Sequence, residues 1–337
     1  MNLDIDQFFA DATPVILSGD VDLEEGENKQ LDSEALSNFF DTPMVIDEVR
    51  VQVASPAVQL NIGNFGGSIR LKLNMGTYAL TDTFVPVGCL GSTYEGGTLN
   101  NTTFNAGFYS PEALPSQFGS GTVGFFRWKL PRPLVVPAGA CLEARISRQI
   151  EGLTQVYPST TTASVNVAYA GRVIKKPLPR GLVVPIPYVG LFSNTFTSAS
   201  VATSNQRDLY NPFQSVLNVQ RLIGRWQNIY LSSANAAASS ISLDANGALG
   251  DTEIDFPLTQ VRTFSGFNVT NGFIPGLSIW EANTRAFNMN VALERGEGFE
   301  VIIDSTAGLP STQAEGSEYD GSNTSFVTMI GWRNENL

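Results

Sequence analysis

Apolar and polar positions along this chain of 337 residues follow the rhythm of strand and turn rather than that of helix. Val165, Val167 and Tyr169 alternate with Asn166 and Ala168, as a strand with one wet face requires. Similar runs, rich in Val, Ile, Phe, Thr and Tyr, are punctuated by Gly, Pro, Asn and Ser. They predict strands over 44–54, 68–73, 79–86, 123–130, 140–150 and 163–174, and again over 215–222, 228–231, 237–243, 252–256, 286–293, 299–303 and 325–332. Asn246-Gly247, between apolar runs at 240–244 and 251–256, reads as a hairpin turn because that pair tolerates positive φ. Helix is predicted only over 1–11, 32–39 and 277–285.

Composition supports an all-β reading. Charged residues make up 15% of the chain, beside 31 Gly, 18 Pro and 21 Phe; a globular chain usually carries about 25% charged residues. The length suggests two domains. Histidine is absent, which removes the usual general base, the commonest metal ligand and any Ser-His-Asp or Cys-His arrangement. Cys89 and Cys141, 52 residues apart, form neither a CxxC pair nor a disulfide framework. They read as small buried apolar residues, with a single bridge as the alternative. No signal-peptide pattern opens the chain and no stretch reaches the ~20 apolar residues of a membrane helix, so synthesis in a cytoplasm is expected.

The formal charge of −12 is concentrated at one end. Residues 1–34 hold ten acids against Lys29, while the remainder has 22 acids against 19 bases. That body offers no basic stripe for phosphates, so nucleic-acid binding is not expected. The segment 1–34 reads as an acidic arm, with Leu3, Ile5, Phe8 and Phe9 as an apolar anchor. Lys175-Lys176-Pro177-Leu178-Pro179-Arg180-Gly181, with Arg172 nearby, reads as a connector near residue 180. The expected division is therefore an arm over 1–34, a first sandwich over 35–176, a connector over 177–205 and a second sandwich over 206–337.

Three landmarks recur in order. The run from Phe40 to Val49 matches that from Tyr210 to Val219 at an offset of 170, pairing Asp41 with Asn211, Ile46 with Val216 and Val49 with Val219. Leu134, Val136, Gly139, Leu142, Glu143 and Ile146 match Val291, Leu293, Gly296, Phe299, Glu300 and Ile303 at an offset of 157. The closing strands, each ending in a Gly close to an Arg, match at about 160. The first half thus carries roughly 13 extra residues, expected in a surface loop over 88–121. A repeated unit of about 150 residues with seven or eight strands has the size of a β-sandwich, whose eight-stranded form is the jelly roll.

With the Phe39-Phe40-Asp41-Thr42-Pro43-Met44-Val45-Ile46-Asp47-Glu48 run, its counterpart Tyr210-Asn211-Pro212-Phe213 and the duplicated layout from Ser37 to Leu337, the chain resembles the double jelly-roll major capsid proteins of tailless icosahedral viruses and bacteriophages with internal membranes. The resemblance implies two jelly-roll β-sandwiches in tandem, a homotrimer forming a pseudo-hexagonal tile, and residence in the virion. The partners it implies are the chain itself, neighbouring capsomers, and penton, minor capsid or internal membrane components. It implies no cofactor, no small-molecule ligand and no catalytic or metal-binding residue, and it picks out no interface residue. The alternatives are a receptor- or glycan-binding spike or fibre protein, and a polysaccharide hydrolase using paired carboxylates.

The remaining motifs are weak. Gly119-Ser120-Gly121-Thr122-Val123-Gly124 spells GxGxxG, but a strand-like run follows where a dinucleotide site needs a helix. Glu143 with Glu300, or Asp251 with Glu253 and Asp255, supply carboxylates without a spacing that fixes two across a cleft. Asp251, Glu253 and Asp255 read as one polar strand face, and 244–255 lacks the EF-hand pattern for calcium. Trp128, Trp226, Trp280 and Trp332 suit a sandwich core or an interface better than a sugar platform. Sequons at Asn100, Asn101, Asn268 and Asn323 matter only in a secreted protein.

Overall fold

The computed structural model describes residues 12–24, 26–55, 69–90, 122–148, 162–175, 177, 181–196, 200–203, 209–227, 239–246, 253–259, 284–305 and 323–336. The first half contains β1 (Thr13–Leu23), β2 (Asn28–Gln30), β3 (Met44–Ser55), β4 (Ile69–Met75), β5 (Tyr78–Ala79), β6 (Val85–Pro86), a single helical turn α1 (Val87–Leu90), β7 (Thr122–Val136), β8 (Leu142–Arg148) and β9 (Ala163–Val173). The second contains β10 (Val183–Phe196), β11 (Ser200–Thr203), β12 (Leu209–Tyr210), β13 (Leu217–Gln227), β14 (Ser239–Asn246), β15 (Glu253–Thr259), β16 (Thr284–Leu293), β17 (Gly298–Ser305) and β18 (Asn323–Asn336).

Each half is a jelly roll, and the strand orders correspond. One sheet runs β1-β9-β3-β7 in the first half and β10-β18-β13-β16 in the second; the other runs β2-β8-β4-β5 and β11-β17-β14-β15. Short β6 joins β4, and β12 joins β17. All these pairings are antiparallel, including β14 with β15 on either side of the expected hairpin, whose turn lies outside the described residues. The protein is a double jelly roll.

The ladders also correct the repeat. Met44 pairs with Val136 and Leu217 with Leu293, while the register slips at Asp47 in β3 and at Gln220 in β13. Equivalent positions in β3 and β13 are therefore 173 apart, not 170, and Leu36-Ser37-Asn38-Phe39-Phe40 superposes on Leu209-Tyr210-Asn211-Pro212-Phe213. The offset of 157 holds for β8 and β17, and 160 holds for β9 and β18, which place Gly171 opposite Ile46 and Gly331 opposite Val219. From β3 the offset falls to 170 at β4 and 159 at Trp128 of β7. Most of the extra length of the first half thus lies between β4 and β7, as expected, although 91–121 is outside the described residues.

Two expectations about organisation fail. The acidic segment is not an arm over 13–34: Thr13–Leu23 is the edge strand of the first sheet, laddered on β9 throughout. Its acids Asp20 and Asp22 take the wet side while Leu17 and Leu23 are buried, so alternation was present beneath the charge. The turn after it is tied locally, since the Glu27 carboxylate accepts the Glu24 N–H at 2.7 Å and meets Lys29 at 2.8 Å. Those contacts pull the Glu27 carboxyl below its usual value, the backbone N–H more than the lysine. Nor is 177–205 a connector, because β10 and β11 supply the opening strands of the second jelly roll. Pro185 and Pro187 disguised β10; on an edge strand proline costs no interior ladder bond.

Of the expected helices, the one over 32–39 fails, and 277–283 lies outside the described residues. Ser33–Leu36 forms a turn closed by Asp32 accepting the Glu34 N–H at 2.9 Å, residues 284 and 285 open β16, and 1–11 lies outside the described residues. The strand expected over 79–86 is two short pieces on β4, and 228–231 is not described. After the GxGxxG run, β7 continues as strand. Cys89 is buried and Cys141 half-buried, and no disulfide joins them.

Candidate assembly surface

Asn38 and Asn211 build the same corner in each jelly roll. Asn38 Nδ2 donates to the carbonyls of Thr42, Val136 and Pro137 at 3.0–3.1 Å, and its Oδ1 accepts the Phe40 N–H at 3.1 Å. Asn211 Nδ2 donates to Ser215 and Leu293 at 2.9 and 2.8 Å, and its Oδ1 accepts the Phe213 N–H at 2.9 Å. Gly139 and Gly296, both at positive φ, donate their N–H to the carbonyls of these asparagines at 3.0 and 2.8 Å. A buried side chain meeting four backbone groups at Asn38 and three at Asn211 fixes the path into the sheet, because each group left unmet costs about 1–3 kcal/mol.

The two jelly rolls meet edge to edge, with β7 of the first lying against β10 of the second. Both edges carry prolines, Pro131 and Pro133 on β7 and Pro185 and Pro187 on β10, and no ladder joins them among the described residues. Apolar contact does the joining: Val184, Ile186, Val189, Ile223 and Ile330 belong to the same buried cluster as the first core. One backbone bridge reinforces it, with the Val189 N–H donating to Leu80 and the Asp82 N–H donating to Val189, each at 2.9 Å.

Arg333 closes one end of this seam. Only 2% exposed, it donates from Nε to Glu335 at 2.9 Å and from its two terminal nitrogens to the Ala79 carbonyl at 3.3 and 3.4 Å. Its guanidinium lies 3.6 Å from the Phe213 ring centre, and Tyr188 meets that ring edge-on at 4.8 Å. Burial lowers the Arg333 pKa, partly offset by Glu335, and burial likewise pushes the Tyr188 phenol up. Tyr78 donates to the Asn336 carbonyl at 2.9 Å, Thr328 to that of Cys89 at 3.1 Å, and Arg132 sits 5.1 Å over Trp332. Beside the seam lies an open cleft of about 260 Å³ lined by Trp128, Lys129, Gln220, Arg221 and Asn288.

The carboxylates weighed in the sequence do not converge. Glu143 lies on β8 and Glu300 on β17, at equivalent places in different jelly rolls. Glu253 and Asp255 lie on β15, opposite Asp244 and Ser242, while Asp251 is outside the described residues. Among the described residues no group of three His, Cys, Asp or Glu could hold a metal. Trp128 is buried in the first core and Trp332 is half-buried at the seam; Trp226 is on β13 and Trp280 is not described. Of the basic run, Arg172 pairs with Asp47 at 3.2 Å and Lys175 is exposed. Of the residues that the sequence assigns to a core or an interface, Trp332 is the one at the seam among the described residues; Arg333, Tyr188 and Val189 carried no such signal.

The strand orders define a protein of two equivalent jelly rolls in one chain. Solved structures similar to it include viral capsid proteins and also PNGF-II, which is 10% identical with a TM-score of 0.40, covering 96% of this chain and 65% of that one. PBCV-1 VP54, fitted into a reconstruction of the virophage Sputnik, is 9% identical with a TM-score of 0.47, covering 97% of both chains. The STIV MCP is 12% identical with a TM-score of 0.47, covering 95% of this chain and 97% of that one. The mavirus major capsid protein is 8% identical with a TM-score of 0.36, covering 96% and 87%. At such scores the likeness adds nothing to the strand order, which defines the fold by itself. No protein-family model matches the chain, and no curated protein matches it by sequence.

Proposed function

We propose that this chain is a structural virion protein without enzymatic activity, a major capsid subunit whose pseudo-hexameric homotrimers tile an icosahedral shell. The observation that carries this is the seam. The β7 edge of one jelly roll meets the β10 edge of an equivalent one, so the contact is heterologous, joining unlike edges of like units. The edges left over are β1, the counterpart of β10, and β16, the counterpart of β7. A unit with a head and a tail of the kind it already joins internally is built to repeat, and heterologous contacts close into rings when the rotation permits. The absence of histidine from the chain favours assembly over acid–base chemistry.

The test is the mass of the purified full chain, followed by imaging of what it builds at high concentration. Three chains per particle and sheets or shells of hexagonal tiles are expected. A monomer at all concentrations overturns the proposal, and a monomer that binds glycans replaces it with the spike reading.

A further inference from the structure

We propose that the cleft beside the seam is a binding site for a phosphate dianion, free or as the end of a small monoester, held between Lys129 of the first jelly roll and Arg221 of the second. The site is independent of the assembly role proposed above. Trp128 and Lys129 line the cleft from β7, Gln220 and Arg221 from β13, and Asn288 from β16. Irregular backbone shapes it on both sides: Gln220 is the residue passed over where the β13 ladders slip, and the β7 ladder slips across 130–133. Such slips re-aim side chains that a regular ladder would hold in line.

The lining is rich in donors and holds no acid among the described residues. Lys129 stands opposite Glu48 in the ladder, but that carboxylate is met by Arg50 and, at 3.3 Å, by Arg127. Arg221 donates from Nε to the neutral Asn288 amide at 2.9 Å, and neither cation makes an ion pair among the described residues. Burial lowers the Arg221 pKa with no acid acting in the opposite sense, so a bound anion relieves a cost the fold already carries. Trp128 is only 2% exposed, yet its indole N–H meets no acceptor among the described residues, whereas nearly all buried donors are met. The duplication sharpens the contrast. Trp128 corresponds to Phe287, a ring without that N–H, and Arg221 corresponds to Glu48; in each pair the member lining the cleft is the one that adds a donor. Two positive charges suit a dianion better than a carboxylate, and a phosphate monoester carries about −1.5 to −2 at neutral pH with three acceptor oxygens. The cleft, about 260 Å³, leaves room beside that group for a small organic body against Leu130, Pro131 and Ile330.

The experiment titrates the full chain with inorganic phosphate, glycerol 3-phosphate and acetate by calorimetry, at constant ionic strength and slightly alkaline pH, with thermal unfolding as the check on folding. Saturable binding of both phosphates at one site per chain is expected, and the tighter of the two tells whether the group arrives as the free anion or on a glycerol headgroup. Arg221→Gln and Lys129→Gln should each stay folded and weaken binding at least about tenfold, since each removes a charge-assisted contact. In wild type one indole N–H resonance should move on adding phosphate, and it should be the one that Trp128→Phe removes. Acetate bound as tightly as phosphate, affinity unchanged in both glutamine variants, or no saturable binding of either phosphate overturns the inference.

Discussion

Phe40 and Phe213 follow the same asparagine corner by the same two residues, yet one ring faces water and the other lies beneath a guanidinium. The corner is common because its chemistry is local: Asn38 and Asn211 satisfy carbonyls of their own sheet. The roof differs because its chemistry is borrowed. Position 333 is arginine in the second jelly roll, while its counterpart is Val173, and position 188 is tyrosine where its counterpart is Val15. Duplicated units keep what each needs to fold and diverge where one has acquired a neighbour.

The sharpest test of that division is at two equivalent glycines where a neighbouring strand passes close by. A Cβ at Gly171 would lie 2.0 Å from the Val45 carbonyl oxygen, and one at Gly331 would lie 2.5 Å from that of Asn218. Neither contact is with a side chain that can move, so Gly171→Ala should cost about 3 kcal/mol or more in denaturant unfolding and Gly331→Ala somewhat less. Equal tolerance of alanine would break the equivalence of the two sheets.

Arg333→Ala should come next, at about 3 kcal/mol, because it empties a buried site and unroofs Phe213. Val173→Ala, its counterpart, should cost about half of that, and only the arginine change should loosen the seam, visible as faster proteolysis between the jelly rolls. Asn38→Ala and Asn211→Ala should each cost about 2 kcal/mol by calorimetry. Similar losses at the two sites confirm a shared corner, and a neutral result at either one removes it.

The smallest effect concerns Asp82, whose backbone holds the bridge to Val189. Burial raises its carboxyl pKa, with Lys72 acting in the opposite sense. A raised folded value means that stability is full in acid, below the unfolded aspartate value, and declines as pH rises through the folded one. Asp82→Asn should therefore stabilise the protein slightly at neutral pH, by under about 0.5 kcal/mol since water still reaches this partly buried group and screens it. In acid the variant and wild type should melt together.

Much of this was legible in the residues. The strands from β3 to β9 and from β13 to β18 showed alternation plainly, and the offsets of 157 and 160 were read correctly because Gly139/Gly296 and Gly171/Gly331 punctuate them. The first landmark was set three residues off. Phe40-Asp41 resembles Tyr210-Asn211, while the true match rests on Leu36, Asn38 and Phe40, of which the decisive member is a buried amide that hydropathy does not flag. Charge concealed β1 and proline concealed β10, each being tolerated because the strand is an edge. The seam was beyond reading, since which edges meet is settled by packing between strands far apart in the chain.

The prolines flanking that seam set how it yields. With no comb of directional bonds between β7 and β10, and one backbone bridge near Val189 as pivot, the two sandwiches can tilt against each other by small sliding of methyls and rings. Curvature in a larger sheet of these molecules can therefore be absorbed within every chain as well as between chains.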